Sequence, residues 1–173
     1  RSSYYHKSVG GYHAAKLRRY QELITHHLRP EMQQIVEKPQ TQPPVDSVFM
    51  SLEAINMMNT RYIIYDLNQP PIRNPHALGN AWFADDYKLV ENADAEIAAL
   101  ETFDPESEAI IDERFAEHVK GKKFKKDENG RIELIEYEPN YLKYACQAAQ
   151  EQLVVFSEIY YSKGWKAYID GNK

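Results

Sequence analysis

The stretch RIELIEYEPNYLKYACQAAQEQLVVFSEIYYSKGWKAYID, Arg131–Asp170, decides the fold class. Ile132, Leu134 and Tyr137, then Leu142, Tyr144, Cys146 and Ala148, approximate the period of two that a half-buried strand requires. Leu153–Tyr161 is a continuous apolar run and predicts a central strand. Ser162-Lys163-Gly164 turns into a further strand at Trp165. Four strands in forty residues, with no helical period between them, predict a mostly antiparallel meander or sandwich-like part. Upstream, KGKKFKKDENG (Lys120–Gly130) reads as a charged, mobile loop, and EAIID (Glu108–Asp112) as a strand. Asp104-Pro105-Glu106 reads as a turn.

Further toward the N-terminus the pattern becomes mixed. Asn92 is a helix cap, with Asp94 and Glu96 placed where negative charge favours the dipole, and Ala93, Ile97 and Leu100 form the inner face. AWFADDYKLV (Ala81–Val90) predicts one strand. DLNQPPIRNPHALGN (Asp66–Asn80) holds three prolines and predicts irregular structure. RYIIY (Arg61–Tyr65) predicts a buried strand. Asp46 or Ser47 caps a short helix with Val48, Leu52 and Ile55 as its stripe. KPQTQPPVD (Lys38–Asp46) is a proline-rich linker. Residues 9–37 show helical periodicity, with Ser8 as a cap and Pro30 starting a second segment or kinking the first. The order predicts an α+β fold: N-terminal helices, a small mixed α/β region, then the β part. It divides into a helical segment with linker at 1–44 and an α+β domain at 45–173.

Composition narrows the function classes. The formal net charge of −5 argues against a general affinity for nucleic acid. A single cysteine, Cys146, excludes an internal disulfide and any multi-cysteine metal site. No run approaches the roughly 20 apolar residues that span a bilayer. The opening on Arg1 and the abrupt end at GWKAYIDGNK read as a piece excised from a longer chain, truncated at its C-terminus.

SVGGYHAAKLRRYQELI (Ser8–Ile24) carries the most pointed chemistry. On a helix from Gly11, Tyr12, Lys16 and Arg19 share one face, and His13 adjoins the free N–H groups of the first turn. The arrangement suits a phosphate or phospho-sugar. It equally suits an ordinary solvated helix face behind a Gly-Gly turn. The histidines lack metal-ligand spacing, so no metal and no cofactor is expected. Asp85-Asp86 are strand neighbours facing opposite ways and form no acid–base couple. Cys146, within the alternating pattern, reads as a small core residue. Trp82 and Trp165 are either sugar-stacking platforms or rings packed under loops.

Four segments together carry a family resemblance: YYHKSVGGYHAAKLRRYQELI (Tyr4–Ile24), LEAINMMNTRYIIY (Leu52–Tyr65), NPHALGNAWFADDYKLVENADAEIAALETFDPESEAIIDE (Asn74–Glu113) and LVVFSEIYYSKGWKAYIDG (Leu153–Gly171). In order and spacing the chain resembles the extracytoplasmic C-terminal region of the YfhO family of bacterial multi-pass membrane proteins. The resemblance implies a periplasmic or extracytoplasmic lobe of a protein embedded in the cytoplasmic membrane. It implies as partners the membrane-embedded part of the same polypeptide and a glycan or lipid-phosphate-linked sugar, with no nucleic acid. The implied activity is that of glycosyltransferases of the cell envelope, whose transfer centre lies on a membrane-proximal loop that nothing here matches. The lobe is then expected to position an acceptor, with no catalytic residue of its own. On that footing Tyr12, His13, Lys16, Arg19, Trp82 and Trp165 are the candidate ligand-binding residues. The rival expectation is a non-catalytic structural or protein-interaction module.

Overall fold

A computed structural model describes residues 7–10, 16–37 and 45–172. The architecture is mixed α+β, with helices leading and four two-stranded sheets following.

Arg18–Leu23 (α1), a π-helical stretch Ile24–Leu28 and Arg29–Glu37 (α2) run on without a break. The helix starts at Arg18, later than the periodicity predicts, and Leu17 before it is extended at φ −60° and ψ 133°. Val9 packs against the core, and its carbonyl accepts a hydrogen bond from the Tyr20 hydroxyl. Ser8 caps nothing there, because α1 has no side-chain cap. Pro30 does begin a new segment, as the second residue of α2. The Arg29 N–H reaches back five residues to the Ile24 carbonyl. That wider turn accommodates a ring that would clash with the carbonyl one α-turn back.

The proline-rich residues 38–44 lie outside the described residues. The next helix is two short pieces, Val45–Phe49 (α3) and Glu53–Met57 (α4). Val48, Leu52 and Ile55 are buried as expected, and Phe49 joins them with no exposed surface. Leu23, Leu28 and Ile35 from the long helix enter the same cluster, with Ile97 and Leu100 packed on it. The residues on either side of position 45 therefore share one apolar core, which supplies the main driving force for folding.

RYIIY is not a buried strand. Only Tyr62–Ile63 (β1) pairs, antiparallel to Ile72–Arg73 (β2), and only Ile63 is buried. Tyr62, Ile64 and Tyr65 face out because nothing packs on that side of so short a ribbon. Ala81–Val90 is likewise not one strand. Ala81–Ala84 (β3) pairs antiparallel with Leu153–Phe156 (β8), whereas Asp86–Val90 (β4) pairs parallel with Glu108–Asp112 (β5). At the junction the N–H groups of Asp85 and Asp86 both donate to the Ser107 carbonyl, and the strand changes partner. Between β4 and β5 runs Ala93–Ala99 (α5), giving a βαβ unit. Its cap is as expected: Asn92 Oδ1 accepts from the N–H groups of Asp94 and Ala95, each at 3.0 Å. Ala93 is exposed, and Ala99 takes its place on the inner face.

Glu113–Phe115, a 3₁₀ turn, and Ala116–Val119 (α6) lead into the lysine-rich segment. That segment is pinned. The Lys125 carbonyl accepts from the side-chain amides of Gln150 and Gln152. Asp127 accepts from the Ala149 and Asn129 N–H groups, which holds its carboxyl below the usual range. Phe124 sets its ring edge to Tyr87. Gly130 is required, since a Cβ there would meet both Phe83 and the Asp127 carbonyl at 3.0 Å.

Arg131–Glu138 (β6) and Tyr141–Gln147 (β7) form a hairpin through Pro139-Asn140. A bulge between Leu134 and Glu136 shifts the register, so that Ile132, Leu134 and Tyr137 share a face with Leu142, Tyr144 and Cys146. Three expectations fail in this part. Leu153–Tyr161 is a strand only through Phe156, half-buried and hydrogen-bonded on one side to β3. No strand forms at Trp165. A turn in which the N–H groups of Gly164 and Trp165 donate to the Tyr161 carbonyl takes its place, followed by an isolated bridge between Ile169 and Asn172. Cys146 is exposed rather than in the core, because its end of the hairpin face is uncovered.

Candidate functional site

Of the six residues singled out from the sequence, Tyr12 and His13 lie outside the described residues. Lys16 precedes α1 and is half-buried, so it does not share a helix face with Arg19. Arg19 is on the first turn but forms an ion pair with Glu96 of α5. Arg18 beside it pairs with Glu22 at 2.8 Å. Two arginines in the first turn oppose the helix dipole, and these carboxylates neutralise them. The nearby Asp112–Arg114 pair is similarly closed. Arg114 Nε and Nη2 and its backbone N–H donate to the Asp112 carboxylate, which holds that carboxyl below the usual range.

The two tryptophans are far from equivalent. Trp82 is buried in β3, and its indole N–H donates to the Pro105 carbonyl at 2.7 Å. Its ring is therefore a packing element. Trp165 is half-buried on the turn after Tyr161, and its indole N–H donates to the Ile159 carbonyl at 3.2 Å. Tyr160, Tyr161 and Tyr168 of the same C-terminal segment are exposed.

The structure assembles a different group. Tyr144 meets Phe156 edge to face, with centroids 4.8 Å apart. Tyr137 lies on the same hairpin face and is half exposed, and the Lys7 ammonium sits 3.0 Å from its ring centroid. Glu158 follows one residue after the Ser157 that ties the end of β8 to Asn80 and Gly79. Burial pushes the Glu158 carboxyl up, against the pull of Lys7. The Tyr144 phenol is also pushed up, first by burial and then by Glu158 and Tyr137. Its hydroxyl is buried with no hydrogen-bond partner among the described residues. The sequence signal for the two tyrosines was the alternation that puts them on one face. Nothing in the sequence tied Lys7 or Glu158 to them.

Three buried polar arrangements that the sequence did not announce hold this framework. Glu31 of α2 accepts from the N–H groups of Ala54 and Ile55, at 2.9 and 2.8 Å, and so caps α4. Burial pushes the Glu31 carboxyl up to about 7, with those two donors opposing and Glu53 adding to the rise. Asn74 donates to Asn56 Oδ1 and to the Thr60 carbonyl, both at 2.9 Å, while Asn56 donates to the Phe49 carbonyl at 2.7 Å. His27 completes the set, with Nε2 2.9 Å from the Ile97 carbonyl.

Among the described residues no group of three or more His, Cys, Asp or Glu side chains could hold a metal ion. No described helix is long and apolar enough to cross a membrane. Comparison with family models, with curated proteins and with solved structures finds no match to this chain.

Proposed function

We propose that the chain is an extracytoplasmic lobe of a polytopic, YfhO-like envelope glycosyltransferase, and that it positions the acceptor glycan while membrane-embedded residues supply the chemistry. The observation that carries the reading is the spread of half-exposed tyrosines over the hairpin and the C-terminal segment: Tyr137, Tyr141, Tyr160, Tyr161 and Tyr168. Such rings offer an apolar face to a sugar ring and a hydroxyl to its edge at small entropic cost. Trp165 stands beside Tyr161 on the same segment. The test is to change Tyr160 and Tyr161 to Ala in the full-length protein and to measure envelope glycosylation at matched expression. A fall of tenfold or more supports the reading, and unchanged glycosylation refutes it.

A second reading has its own observation. Ile135, Phe156 and Ile169 are also exposed, and Leu67 almost fully so. Exposed apolar side chains in this number favour a protein-interaction module. Calorimetric titration with envelope glycans separates the two: acceptor positioning gives weak binding, an interaction module none.

A further inference from the structure

We propose that Tyr137, Tyr144, Phe156 and Glu158 form a subsite for an organic ammonium group, which Lys7 fills from within the chain. The argument begins with Lys7. An exposed lysine is free to point its charge into water, and holding it over one ring costs side-chain entropy. Yet its ammonium rests on the Tyr137 face, 3.0 Å from the centroid. The ring quadrupole attracts a cation there, more strongly as the site is desolvated.

The surroundings suit a cation better than any other ligand. Phe156 and Tyr144 add aromatic surface in edge-to-face contact. Glu158 adds a carboxylate whose charge is felt by Tyr144 and which Lys7 draws down. The Tyr144 hydroxyl carries lone pairs that no described residue uses. A buried hydroxyl left without a partner is costly, which a native structure tolerates where a ligand or a movement recovers it. An ammonium N–H is the donor that recovers it. Aromatic faces, one anion and one unused acceptor are complementary to a primary ammonium, and they repel phosphate or carboxylate.

Lys7 belongs to a short segment held next to the body through Val9, so its arm is a tethered competitor. A tethered group of this length acts at an effective concentration on the order of millimolar. A free ammonium must displace it, and the intact chain therefore binds such ligands weakly. This inference does not rest on the glycan reading, because its probe carries no sugar.

The test uses the whole chain with Lys7→Gln and methylammonium chloride, the free equivalent of the lysine terminus. Binding is followed by the NMR shifts of the Tyr137 and Tyr144 rings, against sodium chloride at equal ionic strength. The expected result is at least tenfold tighter methylammonium binding by Lys7→Gln than by the unaltered chain. Adding Glu158→Gln is expected to remove that gain. Glu158 keeps much of its side chain in solvent, and the dichroism spectrum of the double variant checks that its fold is kept. Equal affinity with and without Lys7, no binding by Lys7→Gln, or a gain that survives Glu158→Gln would each overturn the proposal.

Discussion

Replacing Glu31 by Ala removes the side chain that caps α4. In the native chain its two carboxylate oxygens take the Ala54 and Ile55 N–H groups, and both residues are 2 % exposed. After the change no water reaches those donors easily. Each buried donor left without a partner costs about 1–3 kcal/mol, so the expected loss is about 2–5 kcal/mol. Against a typical total of about 5–15 kcal/mol this is severe. For a chain of this size it lowers Tm by roughly 5–15 °C. Urea unfolding followed by far-ultraviolet dichroism measures it. A second arm uses pH. Glu31 binds its proton more tightly folded than unfolded, where a carboxyl titrates near 4.5. Its contribution is therefore complete below about pH 4.5 and is lost as pH rises through about 7. Glu31→Gln cannot ionise, so its stability relative to the native chain should improve from pH 5 to pH 8. A loss under about 0.5 kcal/mol in Glu31→Ala, or a Gln variant whose relative stability ignores pH, refutes the reasoning.

Phe49→Ala opens the centre of the core at a side chain with no exposed surface; the expected loss is about 3–5 kcal/mol in denaturant unfolding. Asn74→Ala leaves Asn56 Oδ1 and the Thr60 carbonyl unmet, at about 1–3 kcal/mol. A double-mutant cycle with Asn56→Ala should then show a coupling of at least 0.5 kcal/mol. Trp82→Phe leaves only Trp165 emitting, and its fluorescence should be redder and more quenched by acrylamide than that of Trp165→Phe. Below pH 4 stability should fall, because Asp112 and Asp127 titrate below the ordinary carboxylate range and their contribution is lost as pH drops through their folded values. A stability–pH titration of Asp127→Asn should show a smaller fall.

What the sequence disclosed was local. Asn92 capped its helix because a cap needs only its own next three residues. The hairpin was readable down to the broken alternation at Tyr137, which the bulge at Ile135 explains. The βαβ unit followed from strand, cap and strand in order. What escaped depended on distant partners. Glu31 reads as a surface carboxylate on a helix until α4, over twenty residues later, presents its N–H groups. Ala81–Val90 is an unbroken apolar-rich strand until β5 and β8 claim different halves of it. Tyr62, Ile64 and the run past Phe156 have the composition of buried strands, but no element covers them. Lys16 and Arg19 lost their shared face because the helix begins at Arg18, after Lys16. Arg18 and Arg19 are closed in ion pairs, and Gly11, Tyr12 and His13 of the glycine-led site lie outside the described residues.

Isothermal titration of the purified chain against a panel of envelope oligosaccharides tests the glycan-positioning role most directly. The account predicts submillimolar to millimolar binding to at least one member, weakened tenfold or more by Tyr160→Ala with Tyr161→Ala. Heats indistinguishable from dilution across the panel, or binding untouched by those changes, would contradict it.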